Sequence, residues 1–163
     1  MDLSEMERRL KVLEDIEEIK KLQVHYVNCL INTNWDELTE CFSKNGTFSA
    51  HAGDAVGKKA IKELFIKDIS KNHIGQEGLF VVHPIISVDG DKAKGSWLLY
   101  TQIAQPRKFK IKPPYLSTDD APDWTQGFYE IEYVKEDGQW KIYSLKWRMR
   151  LISPMTSLKE MPE

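Results

Sequence analysis

The stretch from Phe80 to Tyr100, FVVHPIISVDGDKAKGSWLLY, constrains this chain more than any other. Two segments of alternating apolar residues flank Val88-Asp89-Gly90-Asp91. An Asp-Gly tip between β-branched and aromatic residues specifies a β-hairpin, because Gly90 takes the positive φ that a primed turn demands. A second Asp-Gly pair, in Lys135-Glu-Asp-Gly138, predicts another. Strands are therefore expected at about 79–88, 92–104, 126–136 and 139–151.

Upstream the apolar period is helical. From Ser4, an expected N-cap, to about Ile31, apolar residues recur at Met6, Leu10, Leu13, Ile16, Ile19, Leu22, Tyr26, Cys29 and Leu30, in steps of three and four. Asn34-Trp-Asp-Glu37 has the pattern of a capping box and opens a short helix carrying Leu38, Cys41 and Phe42, ended by Asn45-Gly46. Thr47 to His51 is a strand candidate. Ala60, Ile61, Leu64, Phe65 and Ile69 give a third helical stripe between Gly57 and Ser70.

Helices first and hairpins afterwards argue for an α+β fold, three N-terminal helices packed on the concave face of a curved antiparallel sheet. At 163 residues the chain makes one domain, expected over 1–152 with a C-terminal tail at 153–163, and it is long enough to bury a core with a cavity inside it. Gln105 to Asp123 holds four prolines and cannot continue a central strand. It reads either as a mobile hairpin loop or as a lid over the cavity mouth, with Phe109 and Tyr115 as contacts.

Twenty-three basic residues against 25 acidic ones leave no electrostatic footprint for nucleic acid. No apolar run approaches the roughly 20 residues that span a bilayer, and the charged N-terminus does not suit a signal peptide. A cytoplasmic protein with no membrane partner is expected. Cys29 and Cys41 are read as buried thiols. The histidines are read singly, His25 as a surface or helix-packing residue, His51 as a residue of the cavity mouth or an exposed imidazole, and His73 as a loop residue. No metal and no cofactor is expected, since neither a ligand cluster nor a Gly-rich phosphate loop is read from the chain.

Several further pieces add up. Asp15-Ile-Glu-Glu-Ile-Lys-Lys-Leu22, Tyr26, Asn34-Trp35, Ala60-Ile61, the central hairpin, Gly127-Phe-Tyr129 and Asp137-Gly-Gln-Trp140-Lys-Ile stand in an order and spacing that resembles the SnoaL-like branch of the nuclear transport factor 2-like superfamily. The match spans about residues 8 to 152. Its organisation is similar to that of bile acid 7α-dehydratase and hexachlorocyclohexane dehydrochlorinase, and more distantly of scytalone dehydratase. The resemblance implies a cone-shaped domain that binds small, largely apolar molecules without metal or nucleotide and forms a homodimer or homotrimer.

Those relatives eliminate water or hydrogen halide with an aspartate–histidine pair, the histidine taking a proton from carbon while the aspartate orients it. Carried onto this chain, the aspartate position falls on Ile31 and the histidine position on Leu79. A further family aspartate falls on Ile131, and the pocket arginine on Leu145 or Met149. Aliphatic residues at these positions need no buried partner for a charge. The inherited dyad is therefore expected to be missing, and the pocket to be lined by Ile31, Leu79, Ile131, Leu145, Trp147, Met149 and Trp97.

His83, with Tyr26 and Tyr129 as hydrogen-bond donors, is the remaining catalytic candidate, because a neutral imidazole beside a phenol suits proton transfer in an apolar pocket. Strand parity puts His83 on the face of Leu79, about 13 Å along. The alternative is a satisfied histidine at the rim.

Three functions stay open from sequence. One is a binder of a small hydrophobic molecule, polyketide, aromatic or steroid-like, with any catalysis a cofactor-free lyase or isomerase step. Another is a non-catalytic interaction protein with a closed cavity, in which Ile31, Leu79, Ile131 and Met149 touch. The last is a dehydratase with a rearranged site in which Asn32 replaces Ile31 in the pocket.

Overall fold

The computed structural model describes residues 2–72, 78–102 and 123–154. The expected loop lies outside these residues up to position 122, as do Phe109, Tyr115 and His73.

Helix α1 (Leu3–Ile31) starts two residues earlier than expected, because the Asp2 carboxylate, not Ser4, accepts the Glu5 N–H at 2.8 Å. Its buried face carries Asp15, Ile19, Gln23, Tyr26, Val27 and Leu30. The first part of the expected stripe does not join the core. Met6, Leu10 and Leu13 are exposed.

Helix α2 (Trp35–Glu40) keeps the capping box in altered form. Asn34 Oδ1 accepts the Glu37 N–H at 3.4 Å, and the Glu37 carboxylate reaches back to the Asn34 side-chain amide at 2.5 Å rather than to its backbone. The helix is shorter than expected. Phe42, fully buried, already opens β1 (Phe42–Ala50), which runs through Asn45-Gly46 with a register shift between Phe42 and Thr47. Gly46 is needed there for closeness, since a Cβ would lie 3.0 Å from the Ile142 carbonyl oxygen.

A short strand that the sequence reading lacks, β2 (Gly53–Val56), pairs back on β1. Helix α3 (Lys58–Lys67) and a 3-10 turn (Ile69–Asn72) follow. The two predicted hairpins form as β3 (Gly78–Asp89) with β4 (Lys92–Gln102), and β5 (Asp123–Glu136) with β6 (Gln139–Pro154). Gly90 and Gly138 both take positive φ at the tips.

The fold is α+β. Six strands form one curved, unclosed sheet in the order β2-β1-β6-β5-β4-β3, antiparallel throughout except that β1 runs parallel to β6. Helix α1 lies across β3 and β6 while α3 covers β1 and β2. Between them sits the core of Ile19, Tyr26, Leu38, Phe42, Ile61, Phe65, Tyr133, Ile142 and Leu145. Each of these lost most of its apolar surface to water-free contact, worth about 1.5–3 kcal/mol for a large aliphatic or aromatic side chain. No described helix is long and apolar enough to cross a membrane.

Candidate functional site

The register of β4, β5 and β6 sorts the helix-covered face of the sheet into rows of directly opposed residues. Gly95, Ile131 and Leu145 make one row, Trp97, Tyr129 and Trp147 the next, then Leu99, Gly127 and Met149, then Thr101 with Thr125. Leu79 joins the last row through its pairing with Thr101. Successive rows are about 7 Å apart along a strand. Leu79 thus stands three rows, roughly 20 Å along the strands, from Ile131.

Burial changes along this face. On β6 the inward residues pass from Ile142 and Leu145, both 0% exposed, through half-buried Trp147 to Met149 at 40%. The apolar wall surfaces at the Met149 end. Ile131 and Leu145, opposed across β5 and β6, are buried core, and Ile31 is half-buried at the last residue of α1.

Behind Trp147 lies a pair of phenols. Tyr129 packs on Trp147 with ring centroids 5.4 Å apart, and Tyr26 meets Tyr129 edge-on at 6.2 Å and Phe42 at 5.9 Å. Burial pushes the Tyr26 hydroxyl well above the usual phenol range, and Tyr129 is raised by burial too, offset in part by a hydrogen bond from Tyr26. Both are neutral at ordinary pH.

Trp97 is not available to a ligand through its ring nitrogen. Its indole N–H donates to the Tyr133 hydroxyl at 2.9 Å, and that hydroxyl donates to Gln23 Oε1 at 3.2 Å. Gly95 makes room for the pair, since a Cβ there would stand 2.9 Å from the Tyr133 ring. Gln23 is fully buried, and its amide nitrogen has no hydrogen-bond partner among the described residues.

His83 falls elsewhere. A bulge sets His83 and Pro84 against the single residue Trp97, His83 takes φ 51°, and its side chain is exposed. The bulge flips the parity of β3: Leu79 and Val81 turn to the core before it, Ile86 and Val88 after it. His83 therefore does not share the face of Leu79, which overturns the parity argument, and strand β4 lies between it and Tyr129. Asn32 is also exposed, its amide folded back onto the Asn28 carbonyl at 2.8 Å.

Two polar clusters escaped the sequence reading. Asp15, 3% exposed, receives Lys135, the Trp140 indole N–H at 3.0 Å and Lys11 at 3.2 Å. Burial alone would raise its carboxyl, but these three donors outweigh it and hold the pKa below the usual range. Nothing in the run LEDIEEIKK says which acid turns inward. Two of the three partners, Lys135 and Trp140, lie 120 and 125 residues away.

The second cluster joins His25, Cys29 and Glu37 at the α1–α2 corner. His25 is exposed, as expected, yet its Nε2 lies 3.7 Å from Cys29 Sγ and 3.5 Å from Glu37 Oε1. Burial pushes the Cys29 thiol up, and that of Cys41 to about 12. The four-residue step from His25 to Cys29 on a helix was the available signal.

The outer face of the sheet holds a groove of about 380 Å³ among Lys94, Ser96, Glu130, Glu132, Ser144 and Lys146. Ile85 and Ile131 also line it.

Residues 11–146 match the family model described as the SnoaL-like domain. Solved structures share the fold. Hexachlorocyclohexane dehydrochlorinase LinA-type3 from Novosphingobium barchaimii is 16% identical, with a TM-score of 0.73 over 93% of this chain and 97% of that one. A scytalone dehydratase-like protein from Novosphingobium aromaticivorans is 20% identical, with 0.68 over 89% and 90%. An NTF2-like protein with a cystatin-like fold from the same species is 18% identical, with 0.70 over 91% and 90%.

Proposed function

The chain belongs to the SnoaL-like domain family, and on that premise we propose that it binds one small, largely apolar molecule where the inner sheet face surfaces at Trp147 and Met149. The gradient of exposure along β6 carries this reading, because a closed core would bury Met149 as it buries Leu145. A flat polyketide, aromatic or steroid-like compound would stack on the half-buried indole and take a hydrogen bond from the neutral Tyr129 hydroxyl.

The closed-cavity alternative requires Ile31, Leu79, Ile131 and Met149 to touch. The three-row separation of Leu79 from Ile131 and the exposure of Met149 argue against it. We also propose that the ancestral elimination does not run here, with Ile31 and Leu79 at the dyad positions. Any residual chemistry is a cofactor-free proton transfer through Tyr26 and Tyr129 rather than His83. Assembly as a homodimer or homotrimer in the cytoplasm, with neither nucleic acid nor membrane as partner, completes the proposal.

A thermal-shift panel of flat apolar compounds tests it, since a ligand present at 100 times its Kd stabilises by about 2.7 kcal/mol. A hit whose shift disappears in Trp147→Ala is expected. Failure of the whole panel to raise the melting temperature would sink the proposal.

A further inference from the structure

His25, Cys29 and Glu37 bring three different ligand chemistries together at the α1–α2 corner, the imidazole and the carboxylate exposed and the thiol buried. The imidazole Nε2 lies 3.7 Å from the sulfur and 3.5 Å from a carboxylate oxygen, and all three atoms fall within 4.8 Å of one another. Around a tetrahedral zinc ion at ordinary bond lengths, neighbouring N, O and S ligands stand about 3.3–3.6 Å apart. Two of the three edges are thus close to the required length already.

The local chain is built to hold this arrangement. His25 and Cys29 share one face of α1 through their four-residue spacing. Thr33, at φ 54°, reverses the chain, and the Asn34 N–H donates to the Cys29 carbonyl at 2.8 Å, so α2 begins against the last turn of α1. Glu37 is then oriented by its neighbour. The Asn34 amide holds Oε2 at 2.5 Å and leaves Oε1 to face His25. A carboxylate ligand fixed through its second oxygen is the usual outer-sphere arrangement of metal sites.

The geometry points to a site for a zinc-class divalent cation, with His25 nitrogen, Cys29 thiolate and Glu37 oxygen as protein ligands and the fourth position open to water. The mixed donor set excludes magnesium and calcium, which take oxygen ligands alone. The thiol gives up its proton to the solvent as the sulfur–metal bond forms, and no electron changes hands. Bound metal would staple α1 to α2. The site is separate from the apolar face at Trp147 and does not depend on that face binding anything.

The test uses the full chain, stripped of metal, with cobalt(II) as spectroscopic probe and zinc in calorimetry. One equivalent of cobalt should give thiolate-to-cobalt charge transfer with strong visible bands of tetrahedral geometry, and zinc should displace it. Cys29→Ser should abolish the charge transfer. His25→Ala and Glu37→Gln, both surface changes that spare the core, should each weaken zinc by about tenfold or more. The inference is overturned if cobalt gives no charge transfer, if the signal follows Cys41→Ser instead, or if His25→Ala and Glu37→Gln bind zinc as the parent does.

Discussion

The indole of Trp147 lies across Gly127, so close that a Cβ on the glycine would stand 2.6 Å from its Cη2 atom and 2.2 Å from the Arg148 carbonyl oxygen. The side chain could swing away at some cost, but the backbone carbonyl belongs to the β5–β6 ladder and cannot. Gly127→Ala should therefore destabilise by more than ordinary core overpacking, which costs about 1–3 kcal/mol. Urea denaturation checks the loss. A Trp147 emission unchanged from the parent would show that the glycine does not set the indole position.

Asp15 and Lys135 form an ion pair whose side chains are only 5% and 12% exposed. Removing one partner strands the other charge, which costs about 3–5 kcal/mol when the pair is buried. Asp15→Asn and Lys135→Met should both lower the melting temperature, the double change less than the sum of the two. The folded carboxyl titrates below its unfolded value, so this stabilisation is complete above the unfolded aspartate pKa of about 3.9 and fades as pH falls through the folded one. In Asp15→Asn that part of the acid limb should be flattened. A variant with the parent's acid profile would mean that the pair contributes nothing.

Tyr133 serves two partners with one hydroxyl, accepting from Trp97 and donating to Gln23. Tyr133→Phe leaves the Trp97 N–H unsatisfied in the core and Gln23 without its remaining contact. The expected cost is about 1–3 kcal/mol, the penalty of an orphaned buried polar group. Pairing it with Trp97→Phe should recover part of the loss, because removing both partners is cheaper than removing one. Equal stability of Tyr133→Phe and the parent, by chemical denaturation, would contradict this.

The local signals in the sequence were strongest where a short stretch determines its own conformation. Both Asp-Gly hairpins and the Asn34 cap formed as their residues required, because turn and cap chemistry acts over four residues. The errors arose where distant partners decide. Met6, Leu10 and Leu13 repeat at helical spacing but remain exposed, whereas Asp15 and Gln23 turn inward to meet Lys135, Trp140 and Tyr133. Asn45-Gly46, a breaker by composition, runs through β1 because Ile142 packs against it. The His83-Pro84 bulge did have a signal: a proline inside a strand marks an edge or a bulge, and β3 is both. Ignoring it cost the parity of a whole face.

His83 and Tyr129 give the clearest separation between the two chemical readings of the site. If an imidazole base operated, His83 would have to face the tyrosines, yet the bulge exposes it and strand β4 intervenes. Tyr129, by contrast, is buried against Trp147. For any compound that binds, His83→Ala should leave the Kd unchanged within about twofold. Tyr129→Phe should weaken binding several-fold, as loss of a hydrogen bond worth about 1 kcal/mol requires. Binding to the parent should show no pH dependence near neutrality from Tyr129, because its phenol is held above its ordinary range by burial. Calorimetric titration of both variants across neutral pH decides it. A Kd that rises in His83→Ala and stays flat in Tyr129→Phe would move the functional group from the core face of the sheet to its exposed edge.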